Sequence, residues 1–169
     1  MLPNGNMPSC LYYNLDLLEL NGLSADDIPT TWDEFVPWAS SLTIWDGDAL
    51  VQAGFSFSGD GVWLADAIRY QNGGWWFVDD STCAWNQKET IDAYQFVLEL
   101  FETKRLQDKA GLSSLDQFSQ GQALTAFFPT SRHGFFLNQF PELNWGVMPT
   151  PTASIGGPYG RATAVSYTH

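Results

Sequence analysis

The sequence predicts a three-layer α/β/α domain. Helical and strand patterns alternate along all 169 residues, no internal repeat or interior linker interrupts them, and 44% of the residues are hydrophobic. Alternating helices and strands pack as helix layers on the two faces of one sheet. A chain of this length can also bury a sizeable core. We therefore expect a single α/β domain.

The first predicted elements are a strand and a short helix. Residues 10–13 form an apolar, aromatic run that is typical of a strand. Asn14 can cap the helix that follows, which carries its leucines within residues 15–20. Asn21 and Gly22 then predict the end of this helix.

A second helix is predicted after Thr31. Thr31 and Glu34 have the spacing of a capping box, in which the hydroxyl accepts an amide and the glutamate reaches back. The apolar positions that follow at helical spacing are Phe35, Trp38, Ala39 and Leu42. Pro37 lies too late for a first turn, so we expect some irregularity there.

The middle of the chain predicts a strand, a turn and a helix. Residues 51–57 alternate as in a strand, residues 58–61 have turn composition, and residues 62–70 return to a helical period. The Asn-Gly-Gly sequence at residues 72–74 is typical of a helix end.

A hairpin and the longest helix are predicted next. Residues 75–78 and 82–85 predict two short strands around an Asp-Asp-Ser turn. Asn86 and Glu89 then have the spacing of a second capping box. The predicted buried stripe of the helix is Ile91, Tyr94, Val97, Leu98 and Phe101.

The last third continues the alternation. A short helix is predicted at residues 114–118, a buried strand at residues 123–128 and a helix at residues 130–140. Further strands are predicted at residues 145–148 and 162–167.

The composition disfavours some classes of partner. The formal net charge is −12, from 7 Lys and Arg against 19 Asp and Glu. Such a surface repels phosphate backbones and gains nothing from counterion release, so we expect no nucleic-acid partner. Anionic membrane surfaces are disfavoured in the same way. Charged residues make up only 15% of the chain and aromatic residues also reach 15%, which favours neutral, hydroxyl-rich ligands.

No motif predicts a metal, a cofactor or a catalytic centre, and we expect none of these. Cys10, Cys83 and the two histidines lack the spacing of a zinc site. The cysteines are compatible with a disulfide or with two separate thiols. The Asp-Gly-Asp sequence at residues 46–48 lacks the remaining ligands of a calcium loop, and GxSxG, HExxH and GxGxxG are absent.

The chain shows no signal peptide and no apolar run long enough to span a membrane. It opens at Met1-Leu2-Pro3 inside what looks like structured sequence. We therefore expect a fragment of a longer protein.

Five segments of the sequence together form a recognisable pattern. They lie at residues 11–18, 28–35, 71–74, 118–123 and 144–151, with the sequences LYYNLDLL, IPTTWDEF, QNGG, FSQGQA and NWGVMPTP. This pattern resembles family 1 extracellular solute-binding proteins of ABC importers, the group that contains maltose-binding protein. Each segment is weak alone. Their shared order and spacing make the resemblance, which spans nearly the whole chain.

The resemblance implies the second lobe of a type II periplasmic-binding-protein fold. Family members have two lobes joined by hinge crossings, and they hold the ligand between the lobes. Residues 9–163 would form the single α/β lobe, residues 1–8 and 164–169 would be hinge-crossing stubs, and the first lobe would be absent.

The resemblance also implies partners and a location. The partners would be a carbohydrate or another small polar solute and, through the full-length parent, the transmembrane subunits of an ABC permease. The parent would be exported to the periplasm or the extracellular face of the membrane, with or without a lipid anchor.

Three turns are expected to converge on one edge of the sheet, because ligands sit beyond the carboxyl ends of strands in α/β folds. In the first turn, Trp63 lies ten residues before Gly73, the spacing at which the maltose-binding type carries a stacking aromatic. A sugar can pack on such an indole; the alternative is an ordinary core tryptophan. Asp60 would either cap the helix or accept sugar hydroxyls.

The second turn contributes Ser131 and Arg132. Amides at this helix start and the Arg132 guanidinium could bind ligand oxygens, or Arg132 could pair with a local acid in solvent. The family often has a tryptophan where Ser131 falls, so the resemblance leaves the sugar open. The third turn adds Tyr159 and Arg161, and Asn6 lies next to the hinge. These three could bind ligand hydroxyls or belong to flexible segments.

Three functions remain open from the sequence. The first is a non-catalytic sugar-binding lobe. The second is a fragment of a glycan-degrading enzyme, which needs paired carboxylates across a sugar bond. Asp60 or Asp66 would then act with another carboxylate, although the adjacent pairs at residues 26–27 and 79–80 have turn composition. The third is a purely structural domain.

Overall fold

The computed structural model describes residues 8–58, 61–108 and 112–152. In this part of the chain, five β-strands alternate with six α-helices and one 3₁₀ turn. In chain order they are β1 Ser9–Asn14, α1 Leu15–Leu20, the 3₁₀ turn Ala25–Asp27, α2 Trp32–Ser41, β2 Ile44–Asp46, β3 Ala49–Ser56, α3 Val62–Gln71, α4 Lys88–Glu102, α5 Ser114–Ser119, β4 Ala123–Pro129, α6 Arg132–Gln139 and β5 Trp145–Met148. None of the helices in these ranges combines the length and apolarity that a membrane span needs.

The strands form one sheet in the order β2-β3-β4-β1-β5. β3 and β4 are parallel, and every other neighbouring pair is antiparallel. Successive residues of a strand point to opposite faces, so Leu11 joins one buried cluster and Tyr12 the other. Helices α1 to α4 cover the first face, whereas Phe118 of α5 and Phe136 of α6 pack on the second. The predicted three-layer α/β/α architecture is confirmed.

The first strand and helix follow the prediction. Asn14 is the N-cap of α1, because its Oδ1 accepts a hydrogen bond from the Leu17 amide at 3.0 Å. The helix ends at Leu20, and Gly22 adopts a φ of +72°, a conformation that glycine reaches without steric cost.

α2 begins where it was predicted but without the predicted cap. The Thr31 hydroxyl donates to the Glu34 carboxylate at 2.9 Å and makes no hydrogen bond to a backbone amide. The predicted capping box is therefore wrong, because the Thr31 hydroxyl binds the Glu34 carboxylate and not the Glu34 amide. The Trp32 amide, at the first position of the helix, donates to the Thr152 carbonyl at 3.0 Å. α2 continues through Pro37.

The hairpin of β2 and β3 was not predicted. Ile44–Asp46 pairs with the start of β3, and Gly47, with a φ of +61°, forms the turn. The two aspartates that flank Gly47 are thus residues of a hairpin turn. A strand of three residues shows too little alternation to be found in a sequence.

The end of α3 is a Schellman motif, as the Asn-Gly-Gly sequence predicted. The Gly73 amide donates to the Tyr70 carbonyl at 3.0 Å, and the Gly74 amide donates to the Arg69 carbonyl at 2.9 Å. Gly73 has a φ of +85°. The chain therefore turns sharply away from α3 at this point.

Residues 75–85 form a hairpin outside the sheet. The Ala84 amide donates to the Trp76 carbonyl at 2.9 Å, and Phe77 is bridged to Cys83. The predicted turn is confirmed. The two predicted strands are wrong, because only this isolated bridge joins them.

α4 starts at Lys88, with Gln87 as an N-cap that makes no side-chain hydrogen bond. The predicted capping box of Asn86 and Glu89 is therefore wrong, because the N-cap is Gln87, one residue after Asn86.

The buried face of α4 differs from the predicted stripe. Its buried residues are Thr90, Ala93, Val97, Leu100 and Phe101. Val97 and Phe101 were predicted, but Ile91 and Leu98 are 46% and 48% exposed, and Tyr94 is only partly buried. α4 has apolar residues on several sides, so its packing against α3 selects the buried face.

The two cysteines are separate free thiols. Cys10 lies in β1 opposite Phe128, where burial raises the pKa of its thiol. Cys83 lies in the exposed hairpin. Of the two arrangements left open by the sequence, the structure has the one without a disulfide.

Candidate functional site

The carboxyl ends of β3 and β4 lie side by side. The strands are parallel neighbours, and Ser56 lies opposite Ala126 near their ends. Ligands of open α/β sheets bind beyond such strand ends. The chain leaves β3 toward α3 and leaves β4 toward α6 at this edge. We call the edge the rim; its described residues are 57–58, 61–63 and 129–132.

β1 also begins at the rim. It runs antiparallel to β4, so Ser9 lies opposite Pro129, and the Thr130 amide donates to the Pro8 carbonyl at 2.8 Å. The described residues of the first two predicted turns therefore lie at one edge, together with the start of the first strand.

Trp63 is the second residue of α3, on the turn that starts at the rim. Its side chain is 50% exposed, so the alternative of a core tryptophan is wrong. Gly61 precedes α3 with a φ of +66°, and a Cβ at this position would lie 2.5 Å from Val97 Cγ1. The close approach of Val97 thus leaves no room for a side chain at the residue that precedes α3.

Ser131 and Arg132 lie at the start of α6. Ser131 is exposed and, although it occupies the N-cap position, its side chain makes no capping hydrogen bond. The Arg132 guanidinium lies 5.5 Å from the centre of the Phe135 ring. Among the described residues, no carboxylate forms an ion pair with Arg132.

Tyr12, in β1, forms a hydrogen bond to the start of the second turn. Its hydroxyl donates to the Pro129 carbonyl at 3.3 Å. Burial raises the pKa of Tyr12 to about 12, and the nearby Arg132 charge acts in the opposite direction. The phenol therefore stays neutral at physiological pH, as a donor to the backbone at the end of β4.

Four predicted site residues fall outside the described ranges: Asn6, Asp60, Tyr159 and Arg161. Their binding roles stay predictions. The third predicted turn and the hinge-crossing stubs, apart from Pro8, lie outside these ranges too.

The chain that follows β5 runs to the opposite end of α3. The Thr152 amide donates to the Thr30 carbonyl at 2.9 Å, and the Gln71 side-chain amide donates to the Pro151 carbonyl at 2.9 Å. Because Gln71 is the last residue of α3, Thr152 lies far from the rim.

The carboxylates considered for catalysis have structural partners. Asp27 accepts from the amide and the hydroxyl of Ser24, both at 2.8 Å, and these bonds lower its pKa. Asp79 accepts from the amides of Ser81 and Thr82 at 2.9 and 2.8 Å, and its pKa falls to about 2. These two aspartates stabilise turns.

Asp66 is paired inside the protein. It is 4% exposed, and its Oδ1 lies 3.1 Å from Arg69 Nη2. Burial raises the pKa of Asp66, and the Arg69 charge opposes this effect. Within the described ranges, no three His, Cys, Asp or Glu side chains come together as a metal site would require.

A buried polar chain behind the rim was missed by the sequence reasoning. It consists of Gln107, Ser56 and Gln117. Beside it opens a surface cavity of about 310 Å³, lined by Trp45, Asp48, Phe101, Glu102, Arg105, Gln107 and Asp108. Isolated glutamines have no periodic pattern, so no sequence signal would have placed them together.

Comparison with known proteins gives one family. The profile of bacterial extracellular solute-binding proteins matches residues 2–169. A search of curated proteins found no match.

Several solved structures share the fold, a type II periplasmic-binding-protein fold. The maltose/maltodextrin-binding domain from Bdellovibrio bacteriovorus, bound to maltotriose, is 16% identical over 99% of this chain, with a TM-score of 0.78. A solute-binding protein from Thermotoga lettingae, bound to α-D-tagatose, is 23% identical over 89%, with a TM-score of 0.73. A Mycobacterium tuberculosis protein in complex with glycerophosphocholine is 22% identical over 91%, with a TM-score of 0.67.

The chain is much shorter than these proteins. It covers 43%, 40% and 38% of their respective chains.

Proposed function

Since the chain belongs to the bacterial extracellular solute-binding proteins, we propose that it is the second lobe of a carbohydrate-binding subunit of an ABC importer. The observation that supports this most is the half-exposed Trp63 at the rim. An indole face gives a sugar an apolar surface for its C–H groups, and nearby donors bind its hydroxyls. In this proposal Trp63 stacks on the sugar, and Arg132 with the start of α6 supplies the donors.

The remaining proposed contacts come from the other predicted residues. Ser131 presents a hydroxyl at the rim, and Asn6, Asp60, Tyr159 and Arg161 would add polar partners. All of them would form one wall of a cleft. The other wall would come from a first lobe, which would close over the ligand by a hinge motion.

The proposed solute is a sugar or an oligosaccharide. The low content of charged residues, 15%, supports a neutral ligand over an ionic one. A serine at position 131, where the family often has a tryptophan, argues against restricting the proposal to maltodextrins. Glycerophosphocholine, the ligand of one structural relative, is therefore a useful comparison ligand.

The proposed role also sets the location and the partners of the parent protein. It would be exported to the periplasm or the extracellular face of the membrane and would deliver its solute to the transmembrane subunits of a permease. We propose no catalysis, because Asp27, Asp66 and Asp79 already hold structural contacts.

Saturation-transfer NMR of the 169-residue chain with maltotriose, tagatose and glycerophosphocholine tests the proposal, because this method detects the weak binding expected of half a cleft. We expect transfer to the sugar C–H protons, loss of transfer in Trp63→Ala, and retention in Trp75→Ala. Trp75 is 60% exposed and follows the end of α3 that is remote from the rim, so it is the matched control. Equal transfer in the two variants, or transfer to glycerophosphocholine alone, would contradict the proposal. Release of new reducing ends would indicate the enzyme instead.

A further inference from the structure

The second turn of the rim is held by the peptide group between Pro129 and Thr130. Its amide donates to the Pro8 carbonyl at 2.8 Å, and its carbonyl accepts from the Tyr12 hydroxyl at 3.3 Å. Hydrogen bonds are directional. The bond to Pro8 alone would let the peptide group tilt about its amide end, whereas two bonds at opposite ends set the plane of the group.

The start of α6 depends on this peptide group, because the helix has no side-chain cap. An N-cap residue normally has an extended backbone and accepts an amide of the first turn. Ser131 has a φ of −59° and a ψ of −21° and makes no such bond. The His133 amide donates to the Thr130 carbonyl at 3.0 Å, so the turn runs directly into the helix. The plane of the Pro129 peptide group is thus passed to Ser131 and Arg132 through one hydrogen-bonded turn.

The phenol that holds this group is itself fixed in the core. Tyr12 is 1% exposed. Its ring centre lies 5.4 to 6.3 Å from those of Trp145, Phe136, Phe128 and Phe118, within the range in which aromatic rings attract one another. Burial raises the pKa of Tyr12, while the His133 amide and the Arg132 charge act to lower it. Both groups therefore lie near the phenol oxygen.

We infer that Tyr12 is a positioning residue for Ser131 and Arg132. Its side chain is buried and does not face a ligand; its hydroxyl sets the plane of the peptide group at which the chain leaves β4. The inference rests on the proposed function, since the orientation of this turn matters to a solute only if the turn contacts it.

Tyr13 provides a matched control in the same strand. Its side chain points to the other face of the sheet, where it packs with the cluster that contains Leu11. The Tyr13 hydroxyl lies over Gly146 of β5, where it leaves no room for a Cβ. Tyr13→Phe therefore removes a hydroxyl from β1 without touching the second turn.

Residual dipolar couplings of the 169-residue chain test the inference, because they report the direction of each backbone N–H bond. Tyr12→Phe keeps the ring and removes only the hydroxyl. We expect the couplings of residues 130–132 to change in Tyr12→Phe and to stay at their wild-type values in Tyr13→Phe. The coupling of the Trp63 amide, in the other turn of the rim, should stay the same in both variants.

A second substitution adds a rescue. When 4-aminophenylalanine replaces Tyr12, the ring keeps a donor at the same place, and the couplings of residues 130–132 should return toward the wild-type values. If Tyr12→Phe does not fold, 3-fluorotyrosine at position 12 gives the comparison, because its more acidic hydroxyl alters the hydrogen bond without removing it.

Unchanged couplings at residues 130–132 in Tyr12→Phe, together with a lower urea midpoint, would mean that the hydroxyl only stabilises the fold. Equal changes in Tyr12→Phe and Tyr13→Phe would overturn the inference as well. The couplings are measured without sugar. A chain that binds no sugar would therefore overturn the proposed function, while the role of Tyr12 in orienting the turn would still be decided by the couplings.

Discussion

Asp66 and Arg69 form an ion pair inside the protein, one turn apart on α3, with Oδ1 and Nη2 3.1 Å apart. Arg69 has no exposed surface, and its guanidinium lies 3.8 Å from the centre of the Trp76 ring. The pair therefore connects α3 to the hairpin at residues 75–85. A single buried cation organises the end of α3 that is remote from the rim.

Removing Asp66 should destabilise the protein strongly. Asp66→Ala leaves a buried guanidinium without its counter-charge, and we expect the free energy of unfolding to fall by about 3–5 kcal/mol. Urea unfolding measures this change. The control is Lys88→Ala, which breaks the exposed pair of Lys88 and Asp92 and should cost about 0–1 kcal/mol. If Asp66→Ala and Lys88→Ala lower the free energy of unfolding by similar amounts, the buried pair of Asp66 and Arg69 contributes no more than an exposed one.

Asp79 should make the stability depend on acid pH. The folded protein lowers the pKa of Asp79 from 3.8 to about 2, so its ionised form is favoured by folding. The stabilisation is then complete above pH 3.8 and is lost as the pH falls toward 2. Asp79→Asn keeps an acceptor oxygen but cannot titrate. The difference in urea midpoint between the wild-type protein and this variant should be constant at higher pH and shrink across that window; a difference that grows on acidification would refute the assignment.

Gly61→Ala should destabilise the start of α3. The backbone at Gly61 is left-handed, and a Cβ would also meet Val97. Gly121 has a similar φ of +69° with nothing within 4 Å of a Cβ, so Gly121→Ala measures the backbone cost alone, roughly 1–2 kcal/mol. Overpacking adds about 1–3 kcal/mol in Gly61→Ala. Thermal unfolding of both variants checks this, and equal losses would argue against the steric contact.

The Arg105→Gly variant should be more stable than the Arg105→Ala variant. It is the one non-glycine residue of the described ranges with a positive φ, at +47°, and its guanidinium lies 4.2 Å from the centre of the Trp45 ring. Both variants lose this cation–π contact, which is worth about 0.5–1 kcal/mol at an exposed site. Only glycine also relieves the strain of the left-handed backbone, which is roughly 1–2 kcal/mol. Urea unfolding measures the two free energies of unfolding. A value for Arg105→Ala equal to or higher than that for Arg105→Gly would contradict this account.

Trp63→Ala should weaken sugar binding in a protein that contains the opposing lobe. We expect a loss of about 1–3 kcal/mol by analogy with the stacking of bases on aromatic side chains. Calorimetric titration gives the affinity, with Trp75→Ala as the control that should leave it unchanged. An unchanged affinity in Trp63→Ala would remove Trp63 from the site.

Local signals in the sequence predicted local structure well. Asn14 caps α1 because its side chain needs only the next turn of its own helix. Gly73 and Gly74 end α3 because a left-handed residue suffices for the motif. The alternation of strands and helices also placed the carboxyl ends of β3 and β4 at one edge, which is most of what the rim requires.

Features that depend on distant contacts were missed or misplaced. Thr31 did not cap α2 through its hydroxyl, and the acceptor for the first amide of the helix is the carbonyl of residue 152, which the local sequence could not indicate. The sequence predicted that Ile91 and Leu98 lie on the buried face of α4, but both are exposed. Apolar residues occur on several sides of this helix, so its packing against α3 determines which side is buried. No pattern in the sequence indicated the buried position of Gln107, since its partners Ser56 and Phe57 lie about 50 residues earlier in the chain.

The parallel pairing of β3 and β4 has a consequence for folding kinetics. Thr125 Oγ1 donates to the Gly54 carbonyl at 2.6 Å across 71 residues of sequence, and α3, α4 and α5 all lie within that interval. Closing a loop of this length costs entropy before any native contact compensates for it. We therefore expect the two halves of the rim to meet late in folding. Until β4 has been synthesised, a nascent chain would contain Trp63 without the neighbouring turn at residues 129–132.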